Sequence, residues 1–268
     1  MNNIEKILKE KTVLSKREID TVKYIETHKN FRDYMYLGNV AIKLYIDPKN
    51  KYRVNESPDV DLFIFDKKNL DELFNDKKSE IDYEETNPIM LGGVRRYGSK
   101  EIEQVIKDKK SPFKIYRLSI YTDRDYSIKS IDVFNPNIGV VFIPINEEDK
   151  KYIVKKHGLP IPCLEFLIPT IINPYGINKK RLERLTMALE DNKEEIKKEE
   201  IENLLYKKLK EGFEQFRREH PNKEEELIEM SIKGYNLLRN LEKKKRRVLE
   251  EVGILQTYYK VLQEEDIL

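Results

Sequence analysis

The hydrophobic pattern of the chain changes partway along, and this change limits the folds that it can adopt. Earlier segments such as 59–65 and 115–121 are short, and in 59–65 the apolar residues at 60, 62 and 64 alternate with Asp61 and Phe63, which is typical of strands. Later segments such as 196–216 and 224–241 repeat apolar residues every three or four positions, which is typical of helices. The pattern predicts an α+β region followed by a helical region, with the boundary near 146–163.

This boundary divides the chain into two expected domains, an α+β domain at 1–150 and a helical domain at 151–268. The first domain should begin with two helices within 4–30, and Ser15 is placed to cap the second of them. The other expected elements include strands at 34–37, 126–134 and 140–143 and helices at 67–80, 183–189 and 248–262.

Composition excludes several classes of protein. Lys and Arg total 51 against 49 Asp and Glu, and this balance does not indicate a nucleic-acid binder. A single cysteine, Cys163, excludes an intramolecular disulfide and a cysteine-based zinc site within one chain, and we expect it to be a small buried residue. The N-terminus lacks an apolar leader, and no segment approaches the roughly 18 apolar residues of a membrane span. We therefore expect a soluble, cytoplasmic protein with no membrane partner.

Three features of the first half have the residue types that phosphate chemistry needs. Gly38 and Asn39 separate a strand from a helix, where glycine lets the backbone approach a ligand and the helix N-terminus offers N–H groups to a phosphate. Asp59 and Asp61 are two residues apart on a strand, so both carboxylates point to the same side. Asp132 lies between apolar neighbours on a later strand.

These acidic residues form one cluster if the strand of Asp132 lies beside the strand of Asp59 and Asp61. Carboxylates this close repel each other unless a cation lies between them. Oxygen ligands suit Mg²⁺ or Mn²⁺, and two such ions can activate a nucleophile and neutralise a transferring phosphoryl group. Asp132 would then be nearest the attacking hydroxyl, as metal ligand or base, and the other two would bridge the metals to a triphosphate.

The residues around these features resemble a known superfamily. The segments are Tyr36-Leu37-Gly38-Asn39-Val40-Ala41-Ile42-Lys43-Leu44, Ser57-Pro58-Asp59-Val60-Asp61-Leu62 and Ile131-Asp132-Val133-Phe134. They resemble the nucleotidyltransferase fold superfamily related to DNA polymerase beta, and within it the AbiEii-type toxin and minimal nucleotidyltransferase group. The resemblance covers about residues 34–145. It implies a mixed sheet flanked by helices and transfer of a nucleoside monophosphate from an NTP to a hydroxyl, with release of pyrophosphate.

The resemblance also implies ligands and partners. Mg²⁺ or Mn²⁺ would be the cofactor, an NTP the substrate, and an RNA such as tRNA, a protein or a small molecule the acceptor. A toxin–antitoxin or abortive-infection role would add an antitoxin-type protein partner. Nucleotide contacts are expected at Gly38, Asn39, Arg53, Ser57 and Lys180.

The chain departs from the family pattern at three places. Asn39 stands where the family has a second Gly or Ser. Asn55 stands where a basic residue often precedes the first Asp by four positions, and Arg53 lies two residues earlier. The segment 164–168 lacks the Lys of the AbiEii-type group, so that the nearest comparable basic group is at 179–181.

Other interpretations stay open at this point. The chain could be a nucleotidyltransferase scaffold that has lost catalysis and binds a partner through its helical half, or a metal-dependent nuclease using the same carboxylates. The Gly-Gly pair at 92–93 is a rival phosphate loop, but it lacks the Walker spacing and is more typical of a turn. The basic run at 243–247 has acidic neighbours, which favours an exposed, ion-paired helix over a nucleic-acid contact.

Overall fold

The structure is a computed structural model that describes residues 3–54, 59–65, 81–86, 94–97, 115–121, 128–134, 143–174 and 176–268. Within these ranges the α-helices are α1 (Asn3–Lys11), α2 (Lys16–His28), α3 (Gly38–Lys43), α4 (Leu164–Ile171), α5 (Lys179–Asp191), α6 (Lys198–Glu219), α7 (Glu224–Arg239), α8 (Lys243–Glu251) and α9 (Ile254–Glu264). The strands are β1 (Tyr34–Tyr36), β2 (Asp59–Ile64), β3 (Ile81–Thr86), β4 (Val94–Tyr97), β5 (Ile115–Tyr121), β6 (Ile128–Phe134), β7 (Ile153–Lys156) and β8 (Leu159–Pro162). Short 3₁₀ helices lie at Pro48–Arg53 and Glu147–Tyr152.

The strands form a six-stranded sheet and a separate hairpin. The order in the sheet is β1-β2-β6-β5-β3-β4, and β7 pairs with β8. Strands β2 and β6 run parallel, whereas the other neighbouring pairs are antiparallel. The α+β class predicted from the sequence is confirmed, with the strands before the long helices.

Strand β2 is buried on both faces, although its sequence alternates. Val60, Leu62 and Ile64 belong to the main core, whereas Phe63 and Phe65 belong to a second apolar cluster. Successive residues of a strand point to opposite faces, so the two clusters lie on opposite sides of β2. Asp61, which shares a face with Phe63 and Phe65, is therefore buried.

Helix α2 begins as the sequence predicts. The Ser15 hydroxyl accepts a hydrogen bond from the backbone N–H of Glu18, and the Glu18 carboxylate accepts one from the backbone N–H of Ser15. This reciprocal capping box satisfies two N–H groups that the first helical turn leaves without partners.

The main core joins residues from both sides of the proposed domain boundary. It runs from Leu8 in α1 through Leu62 in β2 to Leu262 in α9. The division at 150 and 151 stays a prediction, since one continuous apolar cluster crosses it.

Two parts of the helical half sharpen or correct the sequence prediction. The single helix expected over 248–262 is wrong, because Gly253 has a φ of 80° and separates α8 from α9. A side chain at position 253 would be strained by this angle and would also meet the Glu202 side chain. The basic run at 243–247 lies at the start of α8, and its residues 244–247 are ion-paired, for example Lys244 with Glu190.

The structure also bears on the predictions for Cys163, for the strands and for membrane-spanning helices. Cys163 is half-buried at the start of α4, and burial raises the pKa of its thiol to about 11. Strands β3, β4, β7 and β8 were not expected. The predicted helix at 67–80 and most of the predicted strand at 140–143 lie outside the described residues. In the described part of the chain, no helix is both long and apolar enough to cross a membrane.

Candidate functional site

The parallel pairing of β2 and β6 brings the predicted acidic residues onto neighbouring strands. Asp61 is the register partner of Asp132, and Asp59 is the register partner of Ser130. Residues two apart in a strand share a face, and so do register partners, so Asp59, Asp61 and Asp132 occupy one face of the sheet. The expectation that the strand of Asp132 lies beside β2 is confirmed.

The turn between β1 and α3 packs directly against Asp61. Gly38 has a φ of +53°, an angle that favours glycine. A Cβ at this position would overlap the Asp61 carboxylate, lying 2.6 Å from its Cγ. The turn is held in place by the backbone N–H of Leu37, which donates to the carbonyl oxygen of Asp61 at 2.9 Å. Glycine is therefore needed here both for the backbone angle and for the space.

Asp61 also contacts a positively charged side chain from the helical half of the chain. The Arg181 Nη2 atom in α5 donates to Asp61 Oδ2 at 3.1 Å. The Asp61 side chain is 5% exposed and the Arg181 side chain 27% exposed. The carboxylate therefore lies between the Gly38 backbone on one side and a partly open guanidinium on the other.

A second arginine of α5 contacts the same turn. The Arg184 Nη1 atom donates to Asn39 Oδ1, and both residues are buried. Burial lowers the pKa of the Arg184 guanidinium, Glu18 opposes this shift, and Arg181 adds to it. Helix α5 thus contacts both the strand carboxylate and the turn beside it.

A fully buried ion pair fixes α3 behind the turn. Lys43 Nζ lies 2.7 and 2.8 Å from the two carboxylate oxygens of Glu18. Both side chains are 1% exposed. This pair joins α3 to the first turn of α2 and so holds in place the helix that begins at Gly38.

The first turn of α5 is rich in cations. Asn178 caps the helix by accepting from the backbone N–H of Arg181 at 3.1 Å, and Lys179 and Lys180 are exposed beside it. The first turn contains no acidic residue. Since a helix N-terminus already carries partial positive charge, this turn creates a positive potential next to Asp61.

Three other residues were predicted to contact the nucleotide. Ser57 lies outside the described residues. Arg53 ends the 3₁₀ helix that leads toward β2, and its side chain is not described. Lys180 is in the basic turn but is exposed. Nucleotide binding by these three residues stays a prediction.

Sequence reasoning missed the residues that hold the site together. Arg184, Lys43 and Glu18 were not singled out, and Lys180 was preferred to Arg181. One signal was present, because Arg181 and Arg184 are three residues apart and lie on one helix face. The contact with Asp61 spans 120 positions of the chain, which local spacing does not reveal.

The acidic face has donors of the right kind for a divalent cation. Asp59, Asp61 and Asp132 offer carboxylate oxygens, the ligands that Mg²⁺ and Mn²⁺ take. Among the described side chains, no three His, Cys, Asp or Glu residues come together as a metal site. The side chains of Asp59 and Asp132 are not in that described set, so the fit rests on donor chemistry and strand register.

Comparison with known proteins adds no family to these observations. No protein-family model matches the chain, and no curated protein or solved structure shows significant similarity to it. The function must therefore be inferred from how the chain's own residues are arranged.

Proposed function

We propose that this chain is a metal-dependent nucleotidyltransferase that transfers a nucleoside monophosphate from an NTP to a hydroxyl group. The observation that carries the proposal is the Gly38 turn packed against Asp61, which is itself in register with Asp132 on a parallel strand. A close backbone turn beside acidic strand positions suits a phosphate that is held next to a divalent cation.

The acidic residues have the roles expected from their positions. Asp59, Asp61 and Asp132 would hold Mg²⁺ or Mn²⁺, which when bound neutralises charge on the transferring phosphoryl group. Asp132 would be nearest the acceptor hydroxyl, as metal ligand or as the base that takes its proton. The backbone N–H groups of Gly38 and Asn39, at the N-terminus of α3, would contact the phosphates.

The basic residues support binding of a triphosphate. Arg181 and Arg184 bring two guanidinium groups to the site, and Lys180 lies in the first turn of the same helix. Guanidinium groups match phosphate oxygens in geometry and charge. The proposed NTP contacts also include Arg53 and Ser57, which precede β2 in the chain.

The arrangement of the strands supports the proposal of a nucleotidyltransferase-like sheet. A mixed sheet flanked by helices is what the nucleotidyltransferase resemblance implies, and the parallel pairing of β2 with β6 brings the acidic positions onto adjacent strands of such a sheet. The proposal extends to a cytoplasmic toxin of the AbiEii type, with an RNA such as tRNA, a protein or a small molecule as acceptor and an antitoxin-type protein as partner.

Transfer of radiolabel from α-labelled NTPs, with Mg²⁺ or Mn²⁺ present and total tRNA or the protein itself as acceptor, tests the activity. Asp61→Asn should lower the rate by at least about a hundredfold, the usual size when a group that stabilises transition-state charge is removed. Asp266→Asn is the matched control, because Asp266 is an exposed acid that follows α9. Full activity of Asp61→Asn would refute the proposal.

A second function is favoured by one feature of the same site. Asp61 and Asn39 are already hydrogen-bonded to Arg181 and Arg184, as expected for a scaffold that has lost catalysis and binds a partner protein. Calorimetry separates the two functions. Binding of NTP together with Mn²⁺ supports the enzyme, whereas no binding by a protein that forms a stable complex supports the scaffold.

A further inference from the structure

We propose that Arg181 and a divalent cation exclude each other at Asp61, so that the acidic face does not accept a metal until Arg181 is drawn away. The inference rests on the proposed function, because it concerns the same carboxylates. It adds a regulatory property that the proposed function does not require, namely that cation binding and anion binding depend on each other.

Oδ2 of the buried Asp61 carboxylate has two close neighbours. Oδ2 faces the space that a side chain at Gly38 would fill, and it accepts the Arg181 hydrogen bond at 3.1 Å. Only 5% of the Asp61 side chain is exposed. A cation that binds this oxygen must therefore displace a neighbour.

Arg181 is the neighbour that can move. The Gly38 turn is fixed by its backbone hydrogen bond from Leu37 to Asp61. The Arg181 side chain is partly exposed, and its backbone is held separately by the Asn178 cap. The guanidinium can leave Asp61 without disturbing either the strand or the helix.

An anion at the first turn of α5 supplies the reason for Arg181 to move. Lys180 and Arg181 lie together there without an acidic residue in the turn. A polyphosphate offers Arg181 acceptor oxygens that replace Asp61, and the carboxylate becomes available to a cation. Each ligand then strengthens the binding of the other by the same factor, as linkage requires.

Titration with Mn²⁺ alone, followed by the electron paramagnetic resonance signal of free Mn²⁺, tests the exclusion without any turnover. Arg181→Met should bind Mn²⁺ roughly tenfold or more tightly than wild type, because a charge-assisted hydrogen bond no longer competes for the carboxylate. Lys179→Met removes the same charge from the same turn at an exposed position, so its affinity should stay within about twofold of wild type. Asp61→Asn in the Arg181→Met background should abolish the gain, and circular dichroism checks that each variant is folded.

The possible outcomes separate this inference from the proposed function. Equal Mn²⁺ affinity of wild type and Arg181→Met overturns the exclusion and leaves the proposed function intact. An equal gain in Lys179→Met and Arg181→Met also overturns it, since a general reduction of positive charge would then be the cause. Absence of saturable Mn²⁺ binding in all variants overturns the exclusion, whereas the proposed function is tested separately by Mn²⁺ binding in the presence of an NTP.

Discussion

Two ion pairs near the candidate site join distant parts of the chain, and they are built differently. In the first, between α3 and α2, Lys43 contacts both oxygens of Glu18, and both side chains are 1% exposed. In the second, between α5 and β2, Arg181 makes one contact of 3.1 Å to Asp61 and is itself 27% exposed.

This difference separates a structural contact from one that can be exchanged. Breaking a fully buried pair leaves a charge without compensation, which is strongly destabilising. A pair with one partly exposed member can open to water or to a ligand at a smaller cost in free energy. We infer that Lys43 and Glu18 hold the scaffold, whereas Arg181 and Asp61 lie where binding can act.

The largest effect is expected from breaking the buried pair. Lys43→Met should lower the free energy of unfolding by about 3–5 kcal/mol, since Glu18 is left charged inside the protein. Urea denaturation followed by circular dichroism measures the loss.

A double variant serves as the control for this prediction. Lys43→Met combined with Glu18→Gln removes both charges and keeps a side chain that can complete the capping box. It should recover part of the lost stability. A loss below about 1 kcal/mol in the single variant would contradict the structural role of the pair.

Local sequence patterns predicted the elements of the site but not the contacts between them. The helix cap at Ser15, the glycine turn at Gly38 and strand β2 each follow from a few neighbouring residues. The pairing of β2 with β6 was only a condition for the predicted acidic cluster, because the order and register of strands depend on how the whole sheet assembles. The contact of Arg181 with Asp61 depends on how α5 packs near β2. Because the two elements are far apart in the sequence, no short segment predicts this packing.

The sequence pattern was also misleading where two signals disagreed. Apolar spacing continues across 248–262, which predicted one helix, yet Gly253 lies within that segment and interrupts it. A single glycine is tolerated inside a helix at modest cost, so its presence alone does not end a helix. The positive φ of Gly253 and the Glu202 side chain beside it decide the outcome, and neither is visible in sequence.

The second largest effect is expected at the glycine beside the exchangeable pair. Gly38→Ala should cost about 2–4 kcal/mol, from the left-handed backbone angle and from overlap with the Asp61 carboxylate. In an Asp61→Ala background the carboxylate is absent, and the same substitution should cost only about 1–2 kcal/mol. Urea denaturation of the four proteins gives the coupling. Strict additivity would show that Gly38 and Asp61 do not pack as described.

A smaller effect is expected when the exchangeable pair itself is opened. Arg181→Met should lower the free energy of unfolding by about 1–2 kcal/mol, because Asp61 loses its contact with the guanidinium. The loss stays small because water can reach the partly exposed position that the guanidinium vacates. Added Mn²⁺ should raise the melting temperature of this variant more than that of wild type, since a ligand stabilises the folded state that binds it. Lys43→Met should show no such extra gain. A loss as large as that of Lys43→Met would remove the distinction between the two pairs.

The smallest effect is expected from a third pair that isolates burial from distance. Lys244 in α8 lies 2.7 Å from Glu190 in α5, as close as Lys43 lies to Glu18, but its two side chains are 68% and 42% exposed. Lys244→Met should therefore lower the free energy of unfolding by less than about 1 kcal/mol. Since the distances match, the difference between the urea-denaturation results for Lys244→Met and Lys43→Met measures what burial adds. Similar losses in the two variants would show that exposure does not distinguish the structural pair from the exchangeable one, and the interpretation of Arg181 would lose its basis.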